Sequence, residues 1–243
     1  MIFIGYSSDD RYSIVESIVF NLKNYGFNVW YDFYDMFLGD SRFEENFQHG
    51  IQNSNYVIMI ISKNFFDSAC AKEELDYAQF LYERGKIVLF PILYKIESKD
   101  LPKEYCWIRK IIYNEIHEHS GSLFVSNQII EKILHDKCNN CKLRSFSECS
   151  HYLNSYKKYY LSTIIETYLQ LDIPNYSARI AILYTVYLYI KSQFQYTDEK
   201  YTEVIIKRIF TFTKLNITLD HLSFSIFSLS VLLLLNDFIE YLG

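Results

Sequence analysis

The sequence predicts an α/β fold, a parallel sheet of five strands with helices on both faces, followed by a small all-α domain. Two observations carry this expectation. Short apolar runs alternate with amphipathic runs through the first half, which is how a parallel sheet crossed by helices reads. The character then changes near residue 136, and glycine is absent between Gly121 and Gly243. The composition agrees. Half of the 243 residues are hydrophobic, and 23 Tyr and 19 Phe stand against only 7 Gly and 3 Pro. So few breakers imply long regular elements joined by short connections.

The elements follow in order. Residues 3–6 form a first strand and 7–10 a polar turn. Ile14, Ile18 and Leu22 then fall four apart with Val15 and Val19 beside them, one face of a helix, and Gly26 supplies its stop. Residues 27–31 form the second strand and 32–40 a loop. Ser41, Arg42, Phe43 and Glu44 have the spacing of a capping box and start the next helix. The unbroken apolar run 57–61 is a central strand buried on both faces. A helix over 68–84, a strand over 86–93, a short strand near Ile111 and Ile112, and a helix marked by Ile129, Ile130, Ile133 and Leu134 complete the sheet domain. Beyond it, 151–171, 176–194, 203–215 and 223–241 read as four helices, separated by Pro174 and the polar Thr197, Asp198, Glu199 and Lys200. The expected organisation is a sheet domain over 1–135, a linker over 136–151 and a helical domain over 152–243.

Bulk properties exclude several function classes. A net charge of −5 argues against nucleic acid as a partner. The N-terminus lacks a basic region and cleavage site, so no signal peptide is expected. The most apolar stretch, 222–235, is short for a membrane span and is followed at once by Asn236 and Asp237. It reads as a buried helix, with no membrane partner. Five unevenly placed cysteines suggest free thiols and a cytoplasmic location rather than a disulfide framework.

Five ordered motifs carry a family resemblance. Phe3-Ile4-Gly5-Tyr6-Ser7-Ser8-Asp9-Asp10 resembles the first strand of TIR domains, F-I-S-Y-S-x-x-D. Gly26-Phe27-Asn28-Val29-Trp30-Tyr31-Asp32 resembles their second strand. Leu38-Gly39-Asp40-Ser41 is similar to the end of their BB loop. Gly50-Ile51-Gln52-Asn53-Ser54 and the strand after it resemble a fourth motif. Ser68-Ala69-Cys70-Ala71-Lys72-Glu73-Glu74-Leu75 is similar to S-x-W-C-x-x-E-L. Their order and spacing hold over about the first 135 residues and stop short of the helical half. There are departures: Gly5 stands for the usual serine, and Cys70 and Ala71 for the common Trp and Cys.

The resemblance implies the flavodoxin-like TIR fold and a site residue. In enzymatic members the glutamate before the motif's leucine is catalytic, which is Glu74 here. Cleaving the nicotinamide–ribose bond of NAD⁺ develops oxocarbenium character, and a nearby carboxylate can hold ribose hydroxyls and stabilise positive charge. The bland alternative is a solvated first-turn glutamate. Glu73 is the decoy, because a one-residue shift rotates a helical side chain by about 100°. Candidate substrate contacts are Tyr6, Ser7, Ser8 and Arg11 after the first strand, and Trp30, which could stack on a base or pack in the core. Asp32, Tyr34, Gly39 and Asp40 come from the loop bordering the site in relatives; ordinary loop structure is the alternative for these.

Cys138, Cys141, Cys149 and His151 concentrate soft ligands in a short segment. A Cys-x-x-Cys pair is a zinc half-site, so a structural zinc and plain free thiols both stand as readings. No cofactor is otherwise expected, NAD⁺ being a substrate. The family implies an NAD⁺ hydrolase or ADP-ribosyl cyclase, as in the Thoeris type of bacterial anti-phage defence, with a downstream effector reading the product. The alternative is a non-enzymatic scaffold working by TIR–TIR assembly. Apolar helices in the second half would support self-association into a homo-oligomer or a sensing role.

Overall fold

The computed structural model describes residues 1–41, 43–117, 121–193, 201–215 and 217–243. Arg42, Phe194 and the Thr197, Asp198, Glu199 and Lys200 separator lie outside them. The chain forms two compact units, Met1–Ser126 and Asn127–Gly243.

The first unit is built on five parallel strands: β1 (Ile2–Gly5), β2 (Val29–Trp30), β3 (Tyr56–Ile61), β4 (Val88–Tyr94) and β5 (Asn114–Ile116), in the order β2-β1-β3-β4-β5. Chain order reverses beside β1, so the crevice beyond the carboxyl ends of the strands near it is where ligands of such sheets bind. β3 is buried from Val57 onward, as its unbroken apolar run requires. Gly5 on β1 sits opposite Met59 on β3.

Helices cover the sheet. The chain after β1 winds tightly over Ser8–Asp10, widens into a π turn over Arg11–Val15 and continues as α1 (Glu16–Asn24). Ile14, Ile18 and Leu22 are fully buried along it, and Gly26 follows at φ +85°. The loop after β2 opens with a short helix, α2 (Asp32–Asp35). The helix expected from residue 41 is a π-helical segment, Phe43–Ile51, and the Ser41 hydroxyl does accept from the Glu44 N–H at 3.3 Å. α3 (Lys63–Asp67) and α4 (Ala69–Glu83) follow β3.

One strand lies elsewhere than expected. Ile111 and Ile112 do not pair; β4 meets β5 from Asn114, in the register Ile92 to Asn114. Ile112 is 95% exposed. The preceding Lys103–Lys110 turns delay the extended chain.

Helix α5 (Gly121–Asn140) runs across the division between the units. The second unit continues with α6 (Phe146–Ser155), α7 (Tyr159–Gln170), α8 (Tyr176–Gln193), α9 (Tyr201–Lys214) and α10 (His221–Leu242). The single helix expected over 151–171 is therefore two helices, α6 and α7. Lys157 takes a left-handed φ of +59° and the Lys158 N–H returns to the Leu153 carbonyl at 2.8 Å, which closes α6. α10 starts on its Asp220 cap. Among the described residues it is the helix long and apolar enough to cross a membrane; here Phe227, Val231, Leu235 and Phe238 are fully buried within the unit.

Candidate active site

Ser68 begins the site. Its backbone is extended and its hydroxyl accepts from the Ala71 N–H at 3.3 Å, capping α4. Ala71, Leu75 and Ala78 then bury one face of that helix. Glu74 lies three residues after Ala71, on the same inward stripe. A carboxylate is thus carried into the unit by an apolar pattern, and Glu74 is only 6% exposed. Glu73 is exposed, so one member of the pair faces inward, as helix geometry requires.

A second side chain meets Glu74 there. Asn46, 5% exposed, sits on the π-helical segment beside buried Phe47 and Ile51. Its Nδ2 donates to Glu74 Oε1 at 2.7 Å. A hydrogen bond of this length is strong in a site shielded from water. The other end of the amide, Oδ1, is buried without a hydrogen-bond partner among the described residues.

β1 supplies clearance. A Cβ at Gly5 would lie 2.5 Å from Met59 Sδ and 3.1 Å from Glu74 Oε2. The glycine that departs from the expected serine is therefore the residue that lets Met59 and Glu74 approach the strand together.

The opposite wall is aromatic and acidic. Trp30 stacks on Phe3, ring centroids 5.2 Å apart and planes 19° from parallel. Tyr6 donates its phenolic hydrogen to Asp32 Oδ1 at 2.5 Å and accepts from Arg11 Nε at 3.3 Å. Burial first, and the bond to Asp32 next, push the Tyr6 phenol far above its ordinary range, so it stays a donor. The Arg11 guanidinium also lies 4.3 Å from the centre of the Phe33 ring, a cation–π contact. These bonds tie the end of β1 to the base of loop 32–40.

Together these groups bound a cleft of about 230 Å³, lined by Tyr6, Ser8, Trp30, Asp32, Asn46 and Glu74, together with Phe3, Ile4, Met36, Ser68 and Cys70. Sites enclosing a drug-sized ligand span roughly 300–1,000 Å³. The cleft is smaller than these sites and has room for part of such a ligand.

The family model for the TIR domain matches residues 2–122. The N-terminal unit is a TIR domain. Its sequence is 34% identical over 99 residues to the 2′ cyclic ADP-D-ribose synthase BtTIR of Bacteroides thetaiotaomicron, covering 41% of this chain and 34% of that protein. The chain is 28% identical over 131 residues to the NAD(+) hydrolase TcpA of a Theionarchaea archaeon, covering 53% and 38%. It is 35% identical over 104 residues to the probable 2′ cyclic ADP-D-ribose synthase TcpO of Methanobrevibacter olleyae, covering 42% and 29%. The chain spans about a third of the length of these curated relatives.

Within the TIR domain, five of the residues expected from the sequence come together on the cleft: Tyr6, Ser8, Trp30, Asp32 and Glu74. The others do not line it. Ser7 is buried beside it, and Arg11 reaches it only through Tyr6. Tyr34 packs edge-on against Tyr31. Gly39 turns the loop at φ +103°, and Asp40 Oδ2 accepts from the Phe37 N–H at 2.7 Å. Asn46, Met36, Ser68 and Cys70 are additional lining residues. For Asn46 a signal existed: it falls four residues before Gly50, a polar residue at an inward position of a stripe that includes Phe47 and Ile51.

The cysteine segment lies in the second unit. Cys138 is on α5 and half-buried, Cys141 and His151 are exposed, and Cys149 is fully buried on α6. Among the described residues, no three His, Cys, Asp or Glu side chains form a group that could hold a metal ion. The Cys149 sulfur meets the Asn236 amide and the Arg144 carbonyl, each at 3.7 Å. Burial pushes the thiols up, Cys138 to about 11 and Cys149 to about 12, so both are protonated at neutral pH.

Proposed function

We propose that the TIR domain cleaves the nicotinamide–ribose bond of NAD⁺, with Glu74 as its catalytic carboxylate. The single observation carrying this reading is the buried Glu74, turned into a cleft whose other walls offer an aromatic face, hydroxyls and an amide. The names of the relatives, NAD(+) hydrolase and cyclic ADP-ribose synthase, support the same chemistry.

In the reaction the bond between ribose C1′ and the ring nitrogen breaks, and its electron pair leaves with nicotinamide, neutralising the pyridinium. Positive charge develops at C1′ and the ring oxygen. Glu74 stabilises that charge and holds ribose hydroxyls, while the Asn46 N–H keeps the carboxylate in place. Trp30 offers a flat apolar face, and Asp32, bonded by Tyr6, closes the side toward the loop. Water adding at C1′ and losing a proton gives ADP-ribose. A hydroxyl of the same molecule taking the place of water gives a cyclic product.

The test is incubation of the concentrated protein with NAD⁺ and mass spectrometry of the products. Nicotinamide release that is lost in Glu74→Ala and kept in Glu73→Ala is the expected result. Equal release from all three proteins would sink the assignment. In the finer reading the product is a signal in bacterial anti-phage defence, and an effector reads it. Cells expressing the wild-type chain should then resist phage that lyse cells expressing Glu74→Ala. In that reading the second unit serves oligomerisation or sensing.

One observation favours the non-enzymatic alternative. Phe37 and Leu38 are exposed on loop 32–40, at 74% and 108%, as contacts for another TIR domain would be. A scaffold would associate normally as Glu74→Ala and lose association as Leu38→Asp, with no nicotinamide formed by either.

A further inference from the structure

Asn46 has one half of its side chain explained and one half unexplained. Nδ2 is committed to Glu74 at 2.7 Å. Oδ1 is buried, has no partner among the described residues, and belongs to a side chain that lines the cleft. Reversing the amide would not help. It would set the carbonyl oxygen against the carboxylate and forfeit the bond, so the geometry of the pair selects the orientation. Buried acceptors without partners are uncommon and call for an explanation. The backbone also departs from the ordinary here. Asn46 sits in π turns, which recur at functional sites because the wider winding re-aims a side chain.

We propose that Asn46 both positions Glu74 and reads the substrate, Nδ2 fixing the carboxylate while Oδ1 accepts a hydrogen bond from a hydroxyl of the ribose whose bond is cleaved. The inference rests on the NAD-cleaving reading above. The argument for ribose is adjacency. The cleaved ribose carries two neighbouring hydroxyls. If one is held by Glu74, the second falls next to the group bonded directly to Glu74, which is Asn46. Within the nicotinamide riboside half of the dinucleotide the carboxamide NH₂ is the other donor, and substrate analogues separate the two.

The experiment compares the full-length wild type, Asn46→Asp, Asn46→Ala and Glu74→Gln, with thermal melts to confirm folding. Asn46→Asp keeps the shape and removes the donor to Glu74. A second carboxyl beside the first disfavours ionisation of both. The acid limb of its kcat/KM profile should therefore move up by about one pH unit or more. Packing alone would leave that limb in place. Asn46→Ala removes both bonds, and kcat/KM should fall by about 10-fold or more. The wild type should discriminate about 10-fold against NAD⁺ lacking one hydroxyl on the nicotinamide ribose, and Asn46→Ala should lose that discrimination. Nicotinic acid adenine dinucleotide, which lacks the carboxamide NH₂, should be disfavoured equally by both proteins.

If Asn46→Ala instead erases discrimination against the nicotinic acid analogue alone, Oδ1 reads the carboxamide and the ribose assignment is overturned. If Asn46→Asp has the wild-type pH profile and Asn46→Ala the wild-type selectivity, the proposal fails as a whole. Glu74→Gln keeps the two failures apart. Wild-type turnover by Glu74→Gln defeats the parent reading, whereas an inactive Glu74→Gln beside silent Asn46 variants defeats only the role of Asn46.

Discussion

Each unit of this protein buries a glutamate, and the two are treated in opposite ways. Glu203 on α9 is 3% exposed and receives Tyr187 Oη at 2.9 Å, Lys191 Nζ at 2.7 and 2.9 Å and Lys207 Nζ at 2.8 Å. Burial works against its charge, but hydrogen bonds from Lys191, Lys207 and Tyr187 overcome that and hold its pKa down at about 2. Glu74 is buried almost as deeply, yet it borders a cleft, and its amide neighbour ends in an unpartnered oxygen. Asn236 sharpens the contrast with Asn46. Its Oδ1 accepts from the Arg144 N–H at 2.9 Å, and its Nδ2 donates to the Arg144 and Leu232 carbonyls at 3.0 Å each. Both ends of that amide are used within the unit. Burial of a polar side chain therefore does not by itself mark function. What sets Asn46 apart is an acceptor without a partner among the described residues, on a side chain that lines a cleft.

Replacing each glutamate by its amide should break the symmetry between them. Glu74→Gln has the largest expected effect, a loss of nicotinamide release of about 100-fold or more, the scale of removing a main electrostatic stabiliser. Its stability should stay within about 0.5 kcal/mol of wild type or rise, because an amide of nearly the same shape replaces the carboxyl and its oxygen can still accept from Asn46. A urea titration beside the NAD⁺ assay checks both halves. A marked loss of stability would mean that Glu74, like Glu203, is a structural carboxylate.

Glu203→Gln should do the reverse and cost about 2 kcal/mol of stability at neutral pH. That figure lies below the full value of a buried pair because both lysines are substantially exposed. The pH dependence has a definite sign. The folded pKa of Glu203, about 2, lies below its ordinary 4.5, so its contribution is present above about pH 4.5 and is lost as pH falls toward 2. The stability gap between wild type and Glu203→Gln should close over that window in urea titrations. A gap that persists at pH 2.5 would rule out the charge as its source.

The two units also differ in how far the sequence reveals them. Glu74 is singled out over Glu73 by the resemblance to the TIR motif, whereas the apolar run of β3 and the start of α4 are legible because they rest on local pattern. β5 is not, since an edge strand of three residues carries little apolar signal and Ile111-Ile112 nearby carries more. The break between α6 and α7 is hidden for another reason. Lys157 occupies a left-handed conformation that glycine or asparagine would have announced. The cleft was half legible. Tyr6, Trp30, Asp32 and Glu74 belong to motifs, whereas Asn46 reaches Glu74 from 28 positions away on a segment whose π winding no helical period foretells.

Gly5 offers the smallest expected effect and the finest test of the contrast, because it asks whether the cleft tolerates what a core tolerates. A Cβ there meets Met59 Sδ and Glu74 Oε2 at once. Met59 is fully buried but flexible, so Gly5→Ala should cost only about 1 kcal/mol, the low end of overpacking, seen as a drop of a few degrees in Tm. Adding Met59→Val should return most of that stability, since the valine withdraws the sulfur from the clash. It cannot relieve the 3.1 Å approach to the carboxylate. The double variant should therefore regain its Tm while kcat stays several-fold below wild type, because a displacement well under 1 Å at a catalytic group is felt in rate before it is felt in stability. Joint recovery of Tm and kcat would show instead that Gly5 serves packing against β3 alone, and that the position of Glu74 is set from α4 and Asn46 without help from the strand.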